Sequence, residues 1–582
     1  MTATDEGSVP ETLPPVELPG PGSKRPALAS SERATDVLLG VVIAVSTGFY
    51  LALSRSLWFY SDDWAFLLRR GTVTEDVDPG RLGLWEPHNE HWSTGPILIY
   101  RALFEVFGLR HYTPYLVPVL LAHVALVLLA YRLLIRFGVR RWVAFAVATI
   151  LAFNGAGAEN ILWPFQIGFV GALVLGFGAL WLYDRHDVSG WALWPTWVAL
   201  TVGLTFSSMG VVMVVLVSAY ACCRRGVRGA VLVGSVPAGV FAVWFGAVGR
   251  RGVGATPQIG LAGTVLNLPT YVWTVLTHSW EAVSGIPGAG AVLVLVLLAA
   301  ALVRAPDRAR ALAWAGTLAA VVLAVMIGVG RAAFGIENSK SSRYVYVVVA
   351  LMAPILAVLL NAAADRMARP RWPAALLALG VLGFVILNGA HEAALFRDRR
   401  VAASGTLQDR VLATAALARQ GAPFLQPFIE EQENPDITTA LLGTKEVQEQ
   451  LPDRMPSPQG MLDAAAILQV SVSPVELHLP APAAVHLVDG FAGQAEHSPG
   501  CHAYVAISAT PTLRVLAAQG GGLIRLVSDS TQVHTRLQRG AMVSDVVTWT
   551  TTAGVPHNVG TSAADASLLV TLNHAGVVRV CQ

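Results

Sequence analysis

The chain has 582 residues, 54% of them hydrophobic and 13% charged, with a net charge of +2 and a mean hydropathy of +0.55. An ordinary soluble chain carries roughly 25% charged residues, so this composition indicates an integral membrane protein. The small net charge supplies no basic field for nucleic acid. Four cysteines, Cys222, Cys223, Cys501 and Cys581, are too few for a disulfide scaffold and lack zinc-ligand spacing, which excludes a zinc protein or a small secreted domain.

Residues 1–35 are polar and carry Pro10, Pro14, Pro15, Pro19, Pro21 and Pro26, so they bury too little apolar surface to order themselves. A disordered cytoplasmic tail is expected there. The first apolar run, 36–54, is long enough to span a bilayer and is followed by no cleavage pattern, which makes it a signal anchor. Further runs lie near 113–135, 142–158, 160–183, 191–205, 207–223, 229–248, 288–303, 311–329, 344–363 and 373–390. They predict a helical polytopic membrane region over 36–390 with about eleven spans and a large first extracytoplasmic loop over 55–112.

Charge sets the sidedness. With the amino terminus inside, alternate connections carry Arg136, Arg140 and Arg141, then Arg185, then Arg224, Arg225 and Arg228, then Arg304, Arg308 and Arg310, then Arg366, Arg369 and Arg371. Dense arginine in short connections marks the cytoplasmic face. Arg250 and Arg251 fall on the other side and run against the count. An odd number of spans sends 391–582 outside. Residues 400–452 read as polar helix, and 465–582 show short alternating runs such as 513–516 and 568–572, which predict a small β-sandwich ending an extracytoplasmic soluble domain. Cys501 and Cys581 fall in this domain, where an oxidising compartment permits a disulfide.

Candidate chemistry gathers on the outer side. The first loop contains Asp62 and Asp63, adjacent carboxylates that repel each other and are costly to desolvate. One of them could act as a general base while the other positions a donor or a metal; a helix cap at Ser61 with acids in its first turn is the plainer alternative. The loop continues with Trp85, Glu86, His88, Glu90, His91 and Trp92, a set suited to substrate binding. Asp62, His88 and His91 are candidate ligands for a divalent metal, although Pro87 disfavours the helix that would align the histidines. Interfacial Trp and His also serve as headgroup anchors.

Two more clusters share that face. Glu159, Asn160, Trp163 and Gln166 offer a sugar hydrogen bonds and an indole face, or form a helix cap and an aromatic belt. Arg331, Lys340, Arg343 and Tyr344 stand at the start of a span, where positive side chains beside a helix amino terminus suit a phosphate; snorkelling to anionic lipid is the alternative.

This arrangement resembles the GT-C superfamily of polytopic glycosyltransferases, whose members use polyprenyl-phosphate-linked sugars and carry acidic residues early in a large first outer loop, as Asp62 and Asp63 stand here. Protein O-mannosyltransferases and aminoarabinose transferases follow with a His- or Arg-Pro-Pro-Leu segment, and His91-Trp92-Ser93-Thr94-Gly95-Pro96-Ile97-Leu98 looks like a divergent version with one proline of the pair. The stretches 104–109 through 120–123 and 155–166 are similar to the superfamily and to its uncharacterised actinobacterial-type branch. The resemblance covers about residues 36–390.

It implies an inverting transfer from a polyprenyl-phosphate sugar to a cell-envelope glycan, lipid or protein acceptor. Asp62 or Asp63 would take the acceptor proton, and Arg343, with Lys340 or Arg331, would stabilise the leaving phosphate. No nucleotide-binding loop is evident and no cofactor is required, a divalent metal being the one candidate. A transporter or flippase of lipid-linked oligosaccharide and a non-catalytic glycan-binding scaffold are the competing classes. Transporters place ionisable groups at mid-membrane on repeated, broken helices, and the sequence has neither feature.

Overall fold

The structure, a computed structural model, describes residues 25–70, 83–186, 190–252, 260–300, 304–366, 372–430, 433–482, 484–498, 500–518, 520–573 and 576–581. Residues 1–24 of the expected tail, and Arg369 and Arg371 of the arginine pattern, lie outside them. The bundle begins with α1 (Arg25–Ser54), α2 (Thr94–Phe107), α3 (Thr113–Arg136) and α4 (Arg141–Ala152). It continues with α5 (Glu159–Leu162), α6 (Ile167–His186), α7 (Trp194–Leu204) and α8 (Met209–Ala247). Then come α9 (Gly260–Ser284), α10 (Gly290–Ala300), α11 (Asp307–Arg331), α12 (Ser342–Arg366) and α13 (Trp372–Arg419).

Seven helical segments among the described residues are long and apolar enough to cross a membrane: Arg33–Ser54, Thr113–Arg136, Pro164–Arg185, Met209–Ala247, Asp307–Phe334, Ser342–Arg366 and Trp372–Arg419. Their outer surfaces expose Val41, Val45, Leu121, Val243, Leu318, Leu376 and Leu387, an apolar exterior that suits lipid rather than water. The chain is a multi-pass membrane protein built on helices.

The eleven expected runs do not become eleven equal spans. The runs at 142–158, 191–205 and 288–303 form helices of 12, 11 and 11 residues. At 1.5 Å per residue each reaches about 18 Å within the described residues, short of a hydrocarbon core of about 30 Å. The runs at 207–223 and 229–248 join in α8, broken only at Gly226 (φ 71°), a backbone conformation that glycine adopts without strain. Helix α9 escapes the hydropathy pattern, because Asn267, Pro269, His278 and Glu281 dilute its apolar run. It packs on α11, α10 and α12.

Two boundaries also move. Residues 25–35, expected to be disordered, are helix, continuous in α1 with the apolar run that follows them. The helix does not end at residue 391: α13 runs 48 residues without interruption, because nothing between Ala390 and Arg419 except Gly405 opposes a helix. The helix stops at Gly421 (φ 72°), and Pro423, Pro427 and Pro435 leave only α14 (Thr439–Leu442), α15 (Lys445–Gln448) and α16 (Pro458–Leu468) before the strands.

Twelve strands follow among the described residues. The first sheet orders β1 (Val470–Ser473), β10 (His557–Thr561), β6 (Gly522–Val527), β12 (Val577–Cys581), β4 (Cys501–Ala506) and β3 (Phe491–Ser498). The second orders β2 (Ala484–Asp489), β5 (Thr512–Leu516), β11 (Ser567–Leu572), β7 (Gln532–Arg539) and β8 (Met542–Val543), with β9 (Val547–Thr550) also on β7. Alternate residues from both sheets, including Ile524, Leu526, Val559, Val578 and Val580 against Leu513, Val515, Leu537, Leu568 and Val570, share one core, so the sheets form a sandwich. Cys501 and Cys581 face each other on paired β4 and β12 and are joined by a disulfide. Cys222 and Cys223 are free.

At one end of the bundle, arginines from separate connections meet shared carboxylates. Asp184 on α6 receives Arg136 (2.7 Å), Arg308 (3.5 Å) and the Tyr220 hydroxyl (2.9 Å). Asp36 meets Arg132 (3.9 Å) and Arg141 (3.4 Å), and Asp365 meets Arg140 (2.5 Å). These pairs place the connections α3–α4, α6–α7 and α10–α11 together with the C-terminus of α12. The opposite end holds the first loop, the segment 153–166, the turn before α8 and the approach to α12.

Candidate active site

The chain leaves α1 into a loop anchored by aromatic side chains. Phe59 packs edge-on against Tyr115 (4.8 Å) and Tyr112 (5.5 Å), and Trp58 against Trp64 (5.3 Å). Between these rings the backbone turns sharply: Ser61 takes φ 52°, Trp64 N–H donates to the Ser61 carbonyl, and a single π-helical turn follows at Ala65–Arg69. π-Turns are frequent at functional sites.

This turn separates the two acids. Asp63 is fully buried, with its carboxylate accepting from the Tyr100 hydroxyl (2.5 Å) and the Tyr60 N–H (3.0 Å). Burial pushes its carboxyl up to about 6, against the pull of those two donors. Asp62 instead faces open space, its Oδ1 3.5 Å from His88 Nε2. Burial pushes the Asp62 carboxyl up, but the His88 contact and the charge of Arg343 outweigh it and hold the group below its ordinary value. A carboxylate ionised at neutral pH, exposed to a cavity and beside an imidazole, is equipped to take a proton.

The histidines lie on a tight turn, where His88 and His91 exchange backbone hydrogen bonds (2.9 Å each) and Asn89 takes φ 51°. A helix face, the arrangement that metal ligation was expected to use, is excluded by this turn and by Pro87. His91 Nδ1 meets Ser208 Oγ (2.7 Å), and burial pushes His91 down to about 4, so it is neutral at physiological pH. Glu90 pairs with Arg331, Glu86 with Arg251 (3.2 Å), and Trp92 stacks on Trp244 at 4.9 Å. The Glu86 pair gives Arg251 a local reason to stand at this end. No group of three His, Cys, Asp or Glu side chains converges as metal ligands among the described residues.

Glu159, on the short α5, reaches the amino terminus of α12. Its Oε2 accepts from the Arg343 N–H (3.1 Å) and the Ser341 hydroxyl (3.1 Å), and its Oε1 lies 3.7 Å from Arg343 Nη1. The helix terminus, read from sequence as a place for phosphate, already holds a carboxylate from the chain itself. Lys340 pairs with Glu337 (2.7 Å).

Asp62, Glu159, Trp163 and Arg343 meet in one cavity of about 460 Å³, with Tyr60, Ser61, Phe396, Arg399, Arg400 and Ala403. A second cavity of about 450 Å³ is lined by Asp62, Glu86 and His88 with Arg69, Arg70, Arg251 and Asp436. A smaller one of about 100 Å³ holds Glu90, His91, Arg331, Arg343 and Tyr344. Lys340 lines a fourth, of about 590 Å³, which shares Glu159, Phe396 and Arg399 with the first. Of the candidates, Asp63, Trp92, Asn160 and Gln166 line none of these four; Asn160 and Gln166 are buried.

Sequence reasoning missed Arg399 and Arg400. They follow the last apolar run inside Arg397-Asp398-Arg399-Arg400, which looks like the solvated start of a soluble segment. It also missed the segment after α13, which folds over the loop: Asn434 Oδ1 accepts from the Ser61 N–H (3.0 Å), and Asp436 pairs with Arg69 (3.4 Å).

No family model matches the chain, and no curated protein matches it. Among solved structures it is similar to ArnT from Cupriavidus metallidurans in the apo state, with 15% identity and a TM-score of 0.41, covering 75% of this chain and 93% of that one. It is similar to the same protein bound to undecaprenyl phosphate at 14% identity and a TM-score of 0.41, with the same coverage. A likeness at that score carries no argument about chemistry, which has to stand on the residues of the site itself.

Proposed function

We propose that the chain is a membrane glycosyltransferase of the GT-C type, which moves a sugar from a polyprenyl-phosphate donor to a hydroxyl of a cell-envelope acceptor on the extracytoplasmic face. One observation carries the reading: among the described residues, Asp62 alone lines both the 460 Å³ and the 450 Å³ cavities. A base in the wall between two chambers can serve an acceptor in one and a donor in the other.

The donor enters the chamber that holds Arg343, Arg399 and Arg400. The acceptor hydroxyl gives its proton to the Asp62 carboxylate, and its oxygen attacks the anomeric carbon. The bond from that carbon to the phosphate oxygen breaks with inversion. The bonding pair leaves with the polyprenyl phosphate, whose growing charge the arginines stabilise. His88 orients Asp62, while Asp63 fixes the turn through Tyr100 and Tyr60. The arginine-paired end of the bundle is cytoplasmic in this reading, and the β-sandwich is extracytoplasmic.

The test is transfer by purified protein in lipid nanodiscs from polyprenyl-phosphate sugars against nucleotide sugars. Transfer from the lipid donor alone, lost in Asp62→Asn, is expected; full activity in that variant overturns the mechanism. A reporter cysteine near Gly520 should react with an impermeant reagent in intact cells, and reaction only after permeabilisation overturns the sidedness.

A further inference from the structure

Arginines at this end of the bundle mostly have an acid. Arg331 has Glu90, Arg343 has Glu159, Arg251 has Glu86, Arg69 has Asp436 and Arg410 has Glu430. Arg400 differs: among the described residues no carboxylate lies within ion-pairing distance of it. Its guanidinium sits 4.1 Å from the centre of the Tyr60 ring and 4.5 Å from that of Trp163, with Phe396 at 5.5 Å. Its Nε is buried without a hydrogen-bond partner, as is that of Arg343, so the missing carboxylate is what sets it apart. Three aromatic rings surround the group at the wall of the 460 Å³ cavity, beside Arg399, which also has no carboxylate at ion-pairing distance among the described residues.

Aromatic faces stabilise a guanidinium by cation–π attraction without using its N–H donors. A buried donor left unpaired is costly, and a fold tolerates it where a ligand supplies the acceptor. The ligand must be an anion with several oxygens, since a planar fork of donors matches phosphate geometry. Arg343 is less suited to that task, because Glu159 already neutralises it and closes the helix terminus beside it.

We propose that Arg400 is the anion anchor of this cavity and binds the phosphate of a phosphorylated isoprenoid lipid, with Arg399 as its neighbour and Tyr60 and Trp163 as its mount. This deepens the transferase reading and rests on it. It moves phosphate recognition from Lys340 and Arg331, both engaged with acids, to the helix that leads out of the bundle.

The test is binding rather than turnover. Full-length protein in nanodiscs is titrated with farnesyl phosphate, farnesol and inorganic phosphate, with thermal shift read alongside. Wild type should bind farnesyl phosphate at least about tenfold more tightly than farnesol, and Arg400→Gln should remove most of that difference while leaving farnesol unchanged. Arg400→Lys keeps the charge but loses the planar fork and the stacked seat, so it should fold normally and recover little of the affinity; it also serves should the Gln variant fail to fold.

Wild-type affinity for farnesyl phosphate in both variants would overturn the proposal, as would equal binding of alcohol and phosphate by wild type. Displacement of the lipid by inorganic phosphate at equal concentration would overturn the lipid assignment. Tight, Arg400-dependent phosphate binding by a protein that transfers no sugar would uphold the anchor and overturn the transferase reading, so the two failures are separable.

Discussion

The two ends of the helical bundle treat charge in opposite ways. At one end Asp184, only 6% exposed, gathers Arg136, Arg308 and Tyr220 from three other helices, while Asp36 receives Arg132 and Arg141 and Asp365 receives Arg140. Those contacts satisfy each other and line none of the four cavities. At the other end Asp62 stands between two chambers with a 3.5 Å imidazole contact, and Arg400 lies between rings with no carboxylate at ion-pairing distance among the described residues. Charges that complete one another hold structure, and charges held short of completion wait for a ligand.

The sharpest way to break this contrast is at Asp62. Asp62→Asn keeps the shape and removes the base, so sugar transfer should drop roughly 10²-fold or more with an unchanged melting profile. The mirror substitution is Asp184→Asn at the paired end. It should leave two arginines short of a partner and destabilise the protein by about 3 kcal/mol in a denaturation series, while turnover per folded molecule stays at the wild-type value.

Asp63 separates structure from chemistry within the active end itself. Its carboxyl is raised from 3.8 to about 6, so the folded state favours the protonated form. The stability it contributes is fully present below about pH 4 and is lost as pH rises through about 6. A shift of that size corresponds to about 3 kcal/mol at most. Asp63→Asn should flatten the fall in melting temperature between pH 4 and 6.5; a fall that persists in the variant would assign it to another group. The smallest effect is expected at Lys340. Its pairing with the exposed Glu337 is worth less than about 1 kcal/mol, and Lys340→Ala should change turnover less than about threefold in the same assay.

How far the chain itself announces this contrast differs from residue to residue. Positive charge in alternate connections points to one end, and the structure brings Arg136, Arg140 and Arg308 together there. The acid pair stands out because two carboxylates beside an apolar span are rare, yet their division of labour depends on Ser61 at φ 52° and on Tyr100, 37 residues beyond Asp63. Neither is visible in a local pattern. Glu159 and Arg343 each stand out in sequence, but nothing local shows that one carboxylate occupies the helix terminus offered by the other. Arg400 is hidden by its neighbours, since Arg397-Asp398-Arg399-Arg400 has the composition of a solvated turn. The strands are legible from alternation, whereas the continuity of α13 is not, because a hydropathy drop marks the membrane boundary and a helix can run through it.

That continuity makes α13 a lever. Its 48 residues extend about 72 Å, and Arg400 rides about 42 Å from Trp372. Beyond Arg400 the same rod packs against α16, which joins directly to the first strand of the sandwich. A tilt of about 5° pivoting at Gly389, where the helix packs closely on Phe153 and Gly155, would carry Arg400 sideways by about 1.4 Å, half the length of a hydrogen bond. Whatever grips the sandwich from outside therefore has mechanical purchase on the wall of the cavity, and the distance between Arg400 and Asp62 becomes a gauge of where that far end is held.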